Sequence, residues 1–317
     1  MFFPGRKYPF IAAAIVAAMV FSSCARKEYV QISGYAQGGT YSITCKCLPS
    51  EAQSLKSGAD SILSIIDASV SGYNPASLLS RRNNGEDLPD DGSAEYNILE
   101  ELSWFCDSLY RATGGALDTR SGALFDIWGF GFRSGWMPSA EEVEAAMSNR
   151  RVQNFNCVAQ GWSCDMVGQY LLSRGVEDFL VNVGGEILCS GLNPKGSSWT
   201  IAIDTPVDGN DTPGKNISGV FTVPSGQRRG VVTSGNYRKF YFCDGVKYPH
   251  TIDPRTGYPV HHSLLSATII ARNAALADAI ATYCMVIGPT AAREFILSRD
   301  DLEAVLISDG DIWKSFE

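Results

Sequence analysis

A chain of 317 residues with 45% hydrophobic residues and a formal net charge of −8 has the composition of an ordinary folded protein, not of a fibrous or disordered one. The acidic balance, without a basic cluster, argues against nucleic acid as a partner. Nine cysteines with neither CxxC nor finger-like spacing give no zinc-finger framework.

Arg6 and Lys7 make a basic start, Ile11 to Phe21 form an apolar run, and Phe21-Ser22-Ser23-Cys24 sets small residues before a cysteine. That is the layout of an export signal. The run is shorter than the roughly 20 residues of a spanning helix, and no other stretch reads as long and apolar enough. The residues ahead of Cys24 resemble a bacterial lipobox. The resemblance implies a lipoprotein signal peptide at 1–23, lipidation at Cys24, and a mature domain over 24–317 on the outer side of the cytoplasmic membrane. An ordinary signal peptide and an uncleaved anchor are the alternatives. About 290 residues remain, enough for one large domain or two small ones. The even number of cysteines left permits disulfides, yet Cys157, Cys164, Cys189 and Cys284 lie in apolar segments and read as small buried hydrophobes. Cys45 and Cys47 alternate with polar residues and share a strand face.

Val30 to Cys47 alternates and is β-rich, with Gly38-Gly39 as the turn or bulge of a hairpin. Ser50 to Ser69 carries apolar residues at helical spacing. Asn74-Pro75 and the polar run Arg81 to Gly92 read as loop. Glu95 to Thr113 is a helix with Leu99, Leu102, Phe105, Cys106 and Leu109 on one side, ended by Gly114-Gly115. Short acidic Pro138 to Met147 and longer Gln160 to Arg174 are further helices, the latter stopped by Gly175.

Strands then follow over Asp178–Val183, Ile187–Cys189, Trp199–Asp204, Gly219–Val223, Val231–Thr233, Lys239–Cys243 and Leu264–Ala271. Asp208 to Ser218 reads as a polar surface loop. Ala274–Ile287 and Thr290–Ser298 are helices, and Ala304–Ile307 is a last strand. Helices in the middle and strands in the second half predict an α+β fold, a single large domain of antiparallel sheet with flanking helices. There is no internal repeat.

The most informative stretch runs from Tyr248 to Pro259, a Pro- and Gly-rich turn holding His250, one of three histidines. Some twenty residues on, Asp278 and Thr282 stand four positions apart on one helix face, among Ala275, Ala277, Ala279 and Ala281. An Asp on so apolar a helix is costly to bury without a partner. One partner is a hard cation, which takes carboxylate and neutral oxygen ligands. The other reading has Asp278 bonding a neighbouring helix terminus and Thr282 bonding back to its own turn. His261 and His262 read as surface residues.

Several segments in order resemble the ApbE family of FAD:protein FMN transferases: Gly39-Thr40-Tyr41, Ser71-Gly72-Tyr73, Gly115-Ala116-Leu117-Asp118 through Ile127-Trp128-Gly129-Phe130-Gly131, and Ala159-Gln160-Gly161-Trp162 with Asp165. Val181 to Ile187, Thr233 to Tyr237, the His250 block and the Asp278/Thr282 pair complete the set. The match spans nearly the whole mature chain. It departs where Trp162 replaces a common Tyr and Gly39 a frequent Met. The Gly184-Gly185-Glu186 run is similar in three residues to a nucleotide-cyclase motif, but diverges at Ile187-Leu188 and is better explained as a tight turn.

The resemblance implies Mg²⁺-dependent transfer of FMN from FAD to a threonine of a redox protein, with AMP released. It implies a metal held by Asp278, Thr282 and the main-chain carbonyl of Ala159. It places FAD against Gly39, Thr40, Tyr73, Ala116, Leu117, Asp118, Trp162 and the main chain at Ile252. Gly161 and its helix N-terminus offer N–H groups to the phosphates. His250, with the pKa range of a general base, takes the proton from the acceptor hydroxyl, or else pins its turn. Asp118 bonds adenine or ribose, or else caps the next helix. Tyr73 and Trp162 offer ring faces or pack in the core. Rival readings are an FAD pyrophosphatase, in which water attacks, and a non-catalytic FAD-binding carrier, which needs no base. The chain lacks the family's acceptor motif, so it is not expected to flavinylate itself.

Overall fold

The computed structural model describes residues 26–131, 137–208, 210 and 214–316. The export-signal reading and Cys24 lie outside them. Strands β1 (Glu28–Ala36) and β2 (Gly39–Cys47) form the expected hairpin, turning through Gln37 and Gly38 at positive φ. Six helices follow: α1 (Ala52–Val70), α2 (Leu78–Asn83), α3 (Ala94–Ala112), α4 (Gly122–Ile127), α5 (Ala140–Ser148) and α6 (Ala159–Ser173). Next come β3 (Phe179–Val183), β4 (Glu186–Ser190), β5 (Thr200–Asp204), β6 (Ile217–Thr222), β7 (Arg229–Gly235), β8 (Phe240–Cys243) and β9 (Val246–Pro249). The chain continues through β10 (Ile252–Asp253), β11 (Tyr258–Pro259) and β12 (Leu264–Ala271). Helix α7 (Ala274–Leu297), β13 (Glu303–Ser308) and β14 (Asp311–Lys314) end it.

Eight strands make one antiparallel sheet in the order β1-β2-β3-β4-β7-β12-β13-β14. Because side chains alternate along a strand, each strand feeds two layers. One face, with Ile43, Val181, Leu188, Val232 and Ile269, is covered by α1, α6 and α7. The other, with Val231, Ile270, Val305 and Ile307, is covered by the β5–β6 hairpin through Trp199, Ile201 and Phe221. With both faces covered, β12 is buried at nearly every position. Helix α3 packs outside α1, its N-terminus capped by Ser93, which accepts from Tyr96 N–H at 3.1 Å. A satellite core of Leu124, Trp128, Val143 and Ile252 joins α4 and α5 to the β10–β11 turn.

Several elements differ from the sequence reading. The loop expected from Arg81 begins inside α2, a six-residue helix too short to show a period. Helix α4 is missed for the same reason. Ala304–Ile307 is not the last strand: β14 follows, mostly exposed and so without a clear alternation. The two helices expected after Ala274 meet at Gly288, whose φ of 79° breaks the helical path within α7. Helix α7 is long and apolar enough to cross a membrane, contrary to the expectation, but most of it is buried in this core. His262 is not a surface residue. Its Nδ1 accepts from Leu264 N–H at 3.2 Å and its Nε2–H donates to the Met285 carbonyl at 2.8 Å. Cys45, Cys47, Cys164, Cys189 and Cys284 are buried free thiols, while Cys157 is only half-buried.

Helices α6 and α7 meet closely at Gly161. A Cβ there would lie 2.4 Å from the Ala274 carbonyl oxygen and 2.8 Å from Asp278 Cβ. Gly161→Ala should therefore lower stability by about 1–3 kcal/mol, the usual cost of overpacking. A reduced urea midpoint checks this; an unchanged midpoint would mean the helices slide apart freely.

Candidate active site

One end of the sheet gathers five segments: the β1–β2 turn, the β3–β4 turn, the end of β7, the first turn of α6 and the second turn of α7. Gly184 N–H donates to the Thr40 carbonyl at 3.1 Å, tying the two hairpin turns together. Gln37 Nε2 donates to Ser163 Oγ, and that hydroxyl donates to the Ala159 carbonyl at 2.8 Å. The α7 N-terminus is fixed beside them by Asp165, whose carboxylate oxygens accept from Ala274 and Ala275 N–H at 2.9 Å each. Burial lifts the Asp165 carboxyl to about 6 despite these bonds.

Asp278 is 4% exposed, and its Oδ2 accepts from Gly161 N–H at 3.0 Å. Half of the second reading thus holds, since the carboxylate does bond a neighbouring helix terminus. The other half does not: Thr282 Oγ1 faces Ser234 Oγ of β7 at 3.4 Å instead. Gly161 N–H is consequently engaged by Asp278, which corrects the expectation that it stands free for phosphate. Burial drives the Asp278 carboxyl well above the carboxylate range, and the nearby Asp165 charge adds to this.

Glu186, at the start of β4, joins this group although the sequence reading took its run as a plain turn. Its Oε2 is removed from water and meets no hydrogen-bond donor. Burial, then the charge of Asp278, raise its carboxyl strongly, against the opposing pull of its own backbone N–H and of the Arg238 and Lys239 charges. Among the described residues no group of three His, Cys, Asp or Glu is arranged to hold a metal. A cation here would have to draw on neutral oxygens as well. Two buried carboxylates, a threonine hydroxyl and a helix-end carbonyl are the oxygen donors that a hard divalent ion takes. The residues therefore fit such an ion, and the orphaned Glu186 oxygen is the observation that says so.

His250 follows β9. Its backbone N–H and its Nδ1 both lie 3.1 Å from the Lys239 carbonyl. A carbonyl only accepts, so Nδ1 carries the ring proton and Nε2 is left with a free lone pair. Burial, then the Lys239 charge, push its pKa down to about 4, so the ring is neutral near pH 7. Phe130 stands edge-on to the ring at 6.3 Å. Thr251 Oγ1 donates to Asn236 Oδ1 at 2.6 Å, which holds this turn against the end of β7. Trp128 Nε1–H donates to the Gly257 carbonyl at 2.8 Å and pins its far side. Ile252 between them is buried.

The remaining expected residues are spread along the neighbouring surface. Gly39 and exposed Thr40 open β2. Ala116 and Leu117 are buried, and Asp118 caps the turn after them: its Oδ1 accepts from Arg120 N–H at 3.0 Å and its Oδ2 pairs with Arg150 at 2.6 Å. Tyr73 is 61% exposed, with its hydroxyl 3.4 Å from Asn156 Nδ2. Trp162 is half-buried against Phe105, ring centroids 5.9 Å apart. A cavity of about 730 Å³ lies beyond Trp162, lined also by Trp104, Phe105, Met166, Arg228 and Arg272. None of Asp278, Thr282 or His250 lines it, so its size does not mark it as the chemical centre.

An eight-stranded antiparallel sheet flanked by helices, with buried acids and a threonine gathered at one end, defines an α+β protein with a polar site at the sheet end. The ApbE family model matches residues 37–306, and the chain belongs to that family. It is 30% identical over 302 residues to an FAD:protein FMN transferase of Vibrio cholerae, covering 87% of this chain and 86% of the relative. It is 28% identical to one of Escherichia coli K12, covering 96% and 94%. The solved flavin transferase ApbE of Vibrio cholerae superposes with a TM-score of 0.76 at 28% identity, covering 91% and 97% of the two chains. The apo flavinyl transferase ApbE of Pseudomonas stutzeri gives 0.77 at 27% identity, covering 92% and 95%.

Proposed function

We propose that this chain is an FAD:protein FMN transferase that requires a divalent cation and uses a threonine of an extracytoplasmic redox protein as acceptor. What carries the reading is the acid-rich oxygen cluster around Asp278, supported by a histidine elsewhere in the chain whose Nε2 is left to accept a proton. In this reading Asp278, Thr282 and the Ala159 carbonyl hold Mg²⁺, which neutralises pyrophosphate charge when bound. Gly39, Thr40, Tyr73, Ala116, Leu117, Asp118, Trp162 and the Ile252 main chain bind and orient FAD.

His250 Nε2 takes the proton of the acceptor hydroxyl. The hydroxyl oxygen bonds to the FMN-side phosphorus, and the bond from that phosphorus to the bridging oxygen breaks. AMP departs with the bridging oxygen and its electron pair. Protein and FMN are then joined by a phosphoester. Positioning and charge neutralisation supply most of the acceleration in such transfers.

Quantifying AMP, free FMN and labelled acceptor by chromatography tests this reading. One AMP should form per labelled acceptor, with little free FMN. AMP and free FMN formed equally fast without acceptor would replace the transferase by a pyrophosphatase. FAD binding with neither product would leave a carrier.

The reading also includes a lipid anchor at Cys24 that holds the enzyme at the membrane, since a multiply acylated cysteine anchors firmly where one chain does not. Cys24→Ala should block labelling by fatty acid and accumulate the unprocessed precursor. Continued lipid incorporation by this variant would dismiss the lipobox.

A further inference from the structure

Glu186 sits where a carboxylate has no structural reason to be. Gly184 and Gly185, both at positive φ, turn the chain from β3 into β4 immediately before it. A Cβ on Gly184 would lie 2.0 Å from Gln160 Nε2 and 3.2 Å from Glu186 Oε2, so both side chains fold over the bare glycine main chain. Gln160 stands between Ala159 and Gly161, the residue whose N–H holds Asp278. Glu186 and Asp278 thus flank the same first turn of α6. Behind Glu186, its own carbonyl accepts from the buried Cys164 thiol at 3.2 Å, which fixes the start of β4.

The Oε2 atom is out of water and without a donor. Arg238 pairs with Asp204 at 3.0 Å and gives Glu186 Oε2 no hydrogen bond. A buried carboxyl oxygen with neither a hydrogen bond nor a cation is a costly arrangement unless something absent from the protein chain meets it.

We propose that Glu186 supplies a second carboxylate to the divalent-cation site of Asp278, Thr282 and the Ala159 carbonyl. The inference rests on the cation-dependent reading above and deepens it. With Asp278 alone a divalent ion keeps one net positive charge, and its tight binding awaits the phosphates of FAD. With Glu186 added the protein neutralises the ion by itself. The cation therefore loads first, and FAD arrives at a filled site.

The test is Mn²⁺ binding to the FAD-free protein, read as loss of the free-ion electron paramagnetic resonance signal. Wild type should bind without FAD. Glu186→Gln keeps the shape and removes the charge, and should weaken binding by at least about 10–100-fold, since removing even a residue that only supports a metal ligand costs that much. Its melting temperature in EDTA should equal or exceed that of wild type. Asp278→Asn is the control and should lose binding as well.

Wild-type affinity in Glu186→Gln, with binding lost in Asp278→Asn, overturns the Glu186 assignment and leaves the cation reading intact. Wild-type affinity in both variants removes the cation reading itself. If Glu186→Gln melts well below wild type, Glu186→Asp decides. Recovered Mn²⁺ affinity in that variant supports the assignment, and a folded variant without recovery rejects it.

Discussion

Asp278→Asn should abolish nearly all cation-dependent FMN transfer while leaving the metal-free fold as stable as wild type, or more so. Asp278 is set among alanines and sealed against Gly161, so its charge has no water and one N–H to stabilise it. Asparagine keeps an oxygen acceptor for that N–H and removes the uncompensated buried charge. Alanine would instead orphan the Gly161 N–H, at a cost of about 1–3 kcal/mol. The two variants should thus fail alike in transfer but differ in melting temperature measured in EDTA, asparagine above alanine. Undiminished transfer by Asp278→Asn would remove this carboxylate from the site.

His250→Ala should retain FAD and cation binding and lose transfer by roughly 10²–10⁴-fold, the range of a positioned general base. The hydrogen bond from Nδ1 to the Lys239 carbonyl fixes the tautomer, so the ring is prepared for this role before substrate arrives. Burial holds its pKa at about 4, below the ordinary 6.5. The neutral, proton-accepting form is therefore present above about pH 4, and the FAD-free enzyme enters the neutral range already competent. The rate should rise with pH only at the acid end and change little from pH 6 to 8 on account of this group. Stability carries the same sign: the unfolded chain binds the proton more readily between the two pKa values, so protonation of His250 weakens the fold as pH falls below 6.5. His250→Ala should lessen that acid sensitivity. If the histidine only pins its turn, FAD affinity and melting temperature fall together with activity. Normal FAD binding and a wild-type rate would exclude the base assignment.

The sequence made the large elements legible wherever one period dominated. Leu99, Leu102, Cys106 and Leu109 mark the buried stripe of α3, and the alternation of Ile43, Cys45 and Cys47 marks the inner face of β2. Helix α2 and strand β14 escaped because few residues of either are buried, so no period accumulates. At the site, Asp278 and Thr282 were readable as one helix face because the helix rule places them there. Their partners were not. Ser234 meets Thr282 and Gly161 meets Asp278 only through sheet pairing and helix packing, contacts made across many intervening residues. Glu186 was visible as a residue after two glycines, but its orphaned oxygen exists only once α6 covers it. The depressed histidine was likewise hidden, since burial, not local sequence, neutralises His250.

Incubating the full chain with FAD, Mg²⁺ and a redox domain that carries one acceptor threonine tests the central claim most directly, with flavin fluorescence read on a denaturing gel. The expected result is a fluorescent acceptor band that survives denaturation, disappears with EDTA, and is absent when the acceptor threonine is replaced by valine. A dark acceptor band beside FAD converted to free FMN and AMP would contradict it.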